Sequence, residues 1–106
     1  MIVVTTDTVP GYRITSALGV VRGNTIRARH VGRDIMAHVR NLAGGEVREY
    51  TKLMGESREQ AMDRMVEEAE QLGAHAVVGT RFMTSMVMST AAEILCYGTA
   101  VMLERE

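Results

Sequence analysis

The chain has 106 residues, a formal net charge of -1 from 12 basic and 13 acidic side chains, and an apolar share of 46%. That length suits one domain, residues 1–106, with a core that needs no metal or disulfide staple, and the apolar share argues against disorder. The balanced charge has no basic block and so gives no basis for gripping nucleic acid, and no apolar run approaches the ~18 residues of a membrane-spanning helix.

Ile2 to Thr5 reads as a short strand. Val9-Pro10-Gly11-Tyr12 carries Pro second and Gly third, the order a type II turn requires. A longer strand follows, in which Tyr12, Ile14, Leu18 and Val20 alternate with Arg13, Thr15 and Gly19. Gly23-Asn24 is expected to break or bend it, with Ile26 to Val31 continuing the extended chain. Arg33 to Leu42 reads as a short helix on the spacing of Ile35, Val39 and Leu42, ended by Gly44-Gly45. A second helix, about 35 Å long, is expected from Glu46 to Leu72, with Gly73 just past its end. Ala76 to Met88 and Glu93 to Leu103 read as strands, joined through Ser89-Thr90 in an antiparallel hairpin. The order predicts an α+β fold, with two helices on one face of a mainly antiparallel sheet.

The apolar residues of the long helix spread over an arc of about 160°, wider than the ~100° stripe that one partner surface needs. The last two strands are apolar on both faces in places, and such strands need cover on both sides. Both features point to self-association.

The nine methionines and the single cysteine, Cys96, raise the question of soft-metal chemistry. Cys96 cannot form a disulfide within the chain, which suits a reducing, cytoplasmic compartment. Its neighbours Ile94, Leu95 and Tyr97 offer nothing to lower its pKa, and an inert small hydrophobe is its ordinary reading. Met83-Thr84-Ser85-Met86-Val87-Met88 places three thioethers in one strand. Packing is again the ordinary reading; the sharper one is a Cu(I)-type site made by Cys96, Met86 and Met88. It requires an even hairpin register, because only then do Met86 and Cys96 share a face.

Arg58 falls inside the apolar arc of the long helix. Its stem can cover the core while its head reaches water, or it can form a structural ion pair with Asp34 or Glu93, within a subunit or between subunits. His30, His38 and His75 have no i, i+3 or i+4 partner, and no nucleophile, acid–base pair or cofactor loop is legible. A catalytic role is therefore not expected.

Thr5-Thr6-Asp7, Pro10-Gly11-Tyr12, Leu18-Gly19, Arg33-Asp34, Arg40, Gly44-Gly45-Glu46, Tyr50, Arg58, Ala69, Leu72-Gly73-Ala74, Ala76-Val77-Val78-Gly79 and Gly98-Thr99-Ala100-Val101 together resemble the YbjQ-like family. That resemblance implies a dodecin-like subunit, a ring-shaped homo-oligomer of five chains, a heavy-metal-binding label and no established biochemical role. His75 stands where the family pattern suggests Asn or Asp, and Cys96 where it suggests a small residue.

Two readings follow. One is a non-enzymatic module that holds a metal ion or small ligand at subunit contacts, where symmetry multiplies one ligand per chain. The other is a structural ring without a ligand.

Overall fold

A computed structural model describes residues 1–28, 48–88 and 91–106. The elements are β1 (Ile2–Val3), β2 (Tyr12–Ala28), α1 (Arg48–Gln71), β3 (Ala76–Met88) and β4 (Ala91–Arg105). They build an α+β unit in which the sheet order is β1-β3-β4-β2. The sheet is mixed rather than purely antiparallel. β4 runs antiparallel to both neighbours, whereas β1 lies parallel to β3 through Ile2–Ala76 and Val3–Val77. The described residues contain one helix rather than two, because the helix expected over residues 33–42 lies outside them.

The turn before β2 forms as its sequence dictates. Tyr12 N–H donates to the Val9 carbonyl at 3.0 Å, and Gly11 sits at φ +88°. Val9 is thereby tucked against Ala76, Val78 and Val101, with Ile2, Val4, Tyr12, Ile14 and Leu103 around it. This small core covers one face of the sheet near the chain's N-terminus.

β2 does not break at Gly23-Asn24. The strand passes straight through, with register shifts between Ile14 and Ser16 and between Ala17 and Gly19, and then a regular ladder from Val20 to Ala28. Gly23 has a packing role instead. A side-chain carbon there would collide with the Ala61 carbonyl, the Met65 amide and the Arg64 Cβ. Glycine lets the backbone of α1 rest directly on the strand.

α1 is buried along Ser57, Ala61, Met65 and Ala69, one residue per turn on a single stripe. It ends in a Schellman motif. Gly73 at φ +77° donates to the Glu70 carbonyl at 2.9 Å, and Ala74 N–H reaches Ala69 at 3.1 Å. The main core joins this stripe to Val21, Val77, Ile94, Cys96 and Ala100 of the sheet.

The molecule is elongated rather than compact. Its extents are 55 × 25 × 16 Å and its radius of gyration is 17.2 Å, against about 13 Å for a compact chain of this size. The long axis is set by β2, whose 17 residues span about 56 Å at ~3.3 Å each. Towards Ala28, Met88 and Ala91 the three long strands extend as an arm.

Candidate functional site

The centre of the sequence-derived hypothesis is Cys96. In the β3–β4 ladder it stands opposite Phe82, and Met86 stands opposite Ala92. The register is even over this stretch, so Met86 and Cys96 share the face towards α1. They are nevertheless four residues apart along β3, about 13 Å at ~3.3 Å per residue. Cys96 is fully buried, whereas Met86 is 67% exposed. The ladder then shifts by one residue, so that Met88 pairs with Ala91; the Met88 side chain lies outside the described residues. Within one chain the structure does not bring Cys96 and Met86 together, because sharing a face is not sharing a site.

The sulfur that does meet Cys96 belongs to Met65 of α1. The thiol points at the Met65 thioether, 3.6 Å away, and both residues are fully inaccessible. Burial pushes the Cys96 thiol above its ordinary pKa, so it stays a neutral, weak donor to a soft acceptor. No local pattern could have revealed this pair, since the partners are 31 residues apart in sequence.

The pair does not fit a heavy-metal site by itself. The donors lie in an enclosed apolar core with no entry path, and a thiolate would be costly there. Among the described residues no group of three or more His, Cys, Asp and Glu side chains gathers around a point.

His75 is exposed and held by the backbone. Its Nδ1 accepts the Leu103 N–H at 2.9 Å. The same nitrogen lies 3.1 Å from the Leu103 carbonyl oxygen, so the ring is fixed against the backbone on both sides of that residue.

Arg58 is exposed on α1. Its expected partner Glu93 instead accepts a hydrogen bond from Asn24 Nδ2 at 2.9 Å, across the face away from α1. Asp34 lies outside the described residues. Among those residues the ion pair is Arg13–Glu104 at 2.7 Å, on the exposed surface. Among the described residues Arg58 is exposed and forms no ion pair.

A polar seam missed by sequence reasoning lies where α1 crosses the arm. Arg27 Nε donates to Ser57 Oγ at 2.8 Å, and Arg27 Nη2 to Gln60 Oε1 at 2.9 Å. Ser57 Oγ also donates to the Leu53 carbonyl at 2.8 Å, and Thr25 Oγ1 donates to the Ser57 carbonyl at 3.3 Å. Beside the seam is an open depression of about 660 Å³ whose lining includes Lys52, Arg58, Glu56, Glu59 and Asp63. Charges of both signs alternate there, so neither an anion nor a cation is clearly favoured.

The arm and the stretch of β2 leading into it carry exposed apolar side chains. Phe82 is 42% exposed, Met83 54% and Val87 48% on β3, with Val20 at 62% and Ile26 at 58% on β2.

The model of the family described as YbjQ_1, "Putative heavy-metal-binding", matches residues 1–104. The chain belongs to this family. It is similar to a UPF0145 protein of Methanosarcina acetivorans, 60% identical over 95% of each chain. A UPF0145 protein of Thermococcus kodakarensis is 57% identical over 100% of this chain and 94% of its own. The YbjQ_1 label gives the family's suggested chemistry, and UPF0145 carries no specific role. A solved structure of a Pediococcus pentosaceus protein of unknown function, assigned to the DUF74 family, superposes with a TM-score of 0.66 over 98% of each chain. At 18% identity that likeness concerns the fold alone. No described helix is long and apolar enough to cross a membrane.

Proposed function

We propose that this YbjQ-like chain is a non-enzymatic, cytoplasmic binding module that works as a homo-oligomeric ring. The observation that carries the reading is the apolar exposure of the arm, at Ile26, Phe82, Met83, Met86 and Val87, and of Val20 where β2 leads into it. The number of chains, five, and the dodecin-like character of the subunit are taken from the family resemblance. In a ring a heavy metal or small ligand would lie at subunit contacts, where rotation repeats each donor. Met83 and Met86 are the exposed soft donors for such a contact. Arg58 also remains available to an acid of a neighbouring subunit.

Light scattering on the purified protein, with elemental analysis of the same fraction, tests the proposal. The expected result is a mass near five chains with stoichiometric metal. A mass near one chain overturns the ring. A ring without metal, and without metal uptake after incubation with Cu(I) under reduction, favours the second reading, a structural ring.

A further inference from the structure

Building on the oligomer reading, we infer that the open edge of β3 from Arg81 to Met86 pairs, in parallel, with the β2 edge of a second copy of this chain. The sheet then continues from subunit to subunit.

Among the described residues, the outer edge of β3 is occupied only at its base. β1 pairs with Ala76 and Val77, Gly79 N–H reaches the Thr6 carbonyl at 2.9 Å, and Thr80 N–H reaches Val4 at 3.1 Å. Arg81 closes this stretch by donating from Nη1 to the Thr5 carbonyl. Beyond Arg81 no described residue pairs with that edge. Phe82 to Met88 contains no charged residue and no proline. Those are the features that ordinarily protect an edge from pairing with another chain.

The described residues also leave apolar side chains of this stretch exposed. Phe82 and Met86 lie exposed on the face towards α1 and Met83 on the other, and Val87, at the register shift, is exposed as well. The cause is the position of the helix. α1 is seated over β2, through Gly23, Thr25 and Arg27, and reaches Cys96 of β4. It stops short of the outer half of β3.

A row of unpaired backbone groups is satisfied only by another extended chain. The molecule itself provides one, because β2 is the opposite edge among the described strands and its ladder is regular from Val20 to Ala28. β2 and β3 both run antiparallel to β4, and so in the same direction. A rotation axis along the strands preserves that direction and makes the joined pair parallel. The two edges differ, so the contact is head-to-tail, as a ring requires. It also brings the neighbour's α1, offset over its own β2, beside the bare Phe82 and Met86.

Disulfide trapping tests the pairing. Ser85→Cys is combined in turn with Val20→Cys, Arg22→Cys, Asn24→Cys and Ile26→Cys, all on the face away from α1, so that the set scans the register. Within one chain Ile26 and Ser85 flank Glu93 in the same row, about 10 Å apart at ~4.8 Å per strand, too far for a disulfide. Cys96 is fully buried and stays out of the reaction. Each double variant is checked under reduction for the oligomeric mass of the unaltered chain, and four variants guard against one that fails to assemble. The expected result is a covalent ladder beyond the dimer in at least one double variant, with Ser85→Cys alone remaining a single chain. Covalent dimers from Ser85→Cys alone would show two β3 edges meeting and overturn the pairing. An oligomer by light scattering with no ladder in any variant would also overturn it, while leaving the oligomer reading intact. A monomeric unaltered chain would remove both.

Discussion

Gly23 and Ala61 are in backbone contact: the strand residue has no room for a side-chain carbon beneath the helix carbonyl. This one approach fixes the height of α1 above the sheet, and the Cys96–Met65 pair and the Thr25–Ser57 bond both lie on that seam.

Gly23→Ala is therefore expected to destabilise the fold by more than ~3 kcal/mol, since the obstruction is backbone and cannot swing away. Gly11→Ala offers the control. A methyl group there meets nothing within 4 Å, but φ is +88°, and the cost should be about 1–2 kcal/mol. Urea unfolding at one fixed protein concentration measures both. Equal losses would mean that the helix rises to accommodate the methyl group.

Cys96 should be chemically silent in the folded protein. A thiol reagent is expected to modify it only at the rate of global unfolding, because the group is fully buried. Its folded pKa lies above the unfolded one through desolvation. The folded state therefore holds the proton more tightly, and this contribution is intact below the ordinary thiol pKa of about 8.5. Stability should fall as pH rises through and beyond that value, and Cys96→Ala should remove this part of the slope. Rapid labelling at neutral pH without denaturant would contradict the enclosed setting.

Ser57→Ala removes the acceptor of Arg27 Nε and the donor to Leu53. A loss of about 1–3 kcal/mol is expected, because a part-buried guanidinium N–H is left unpaired. Arg27→Met removes the charge together with its need for a partner. In a double-mutant cycle the pair should cost less than the sum of the single changes. Strict additivity, read from chemical unfolding, would mean that the bond contributes nothing.

Arg13 and Glu104 form an ion pair with side chains 67% and 63% exposed. Arg13→Ala should change stability by less than ~1 kcal/mol, and added salt should erase even that. A larger effect in thermal unfolding would require Arg13 to be covered in the assembled protein.

The strands of the hairpin were legible because apolar and β-branched residues fill Ala76–Met88 and the chain from Glu93 onward. The helix end was legible because Gly73 is the residue that a Schellman turn demands. Gly23 was misread as a break, since a close approach between distant backbones leaves no local signature. The register around Cys96 was narrowed only to a parity condition, and meeting it proved insufficient. Distance along the strand and the covering helix, neither visible in a pattern of period two, decide which sulfur Cys96 meets. Arg58 was placed in the apolar arc, but the buried stripe is narrower than that arc and leaves its head in water.

The place of β4 in the sheet has a consequence for how the protein is made. Among the described strands it comes last in sequence, yet it lies between β2 and β3 and is the neighbour against which each of them forms its long ladder. While the chain is being synthesised, β2 emerges early and has no strand to join until Ala91–Arg105 has followed. Most of the sheet can assemble only once that segment is available, by contacts between residues far apart in sequence, which form slowly. A nascent chain that ends before β4 would carry two long strands with no ladder partner for either, the form most exposed to aggregation and to capture by chaperones.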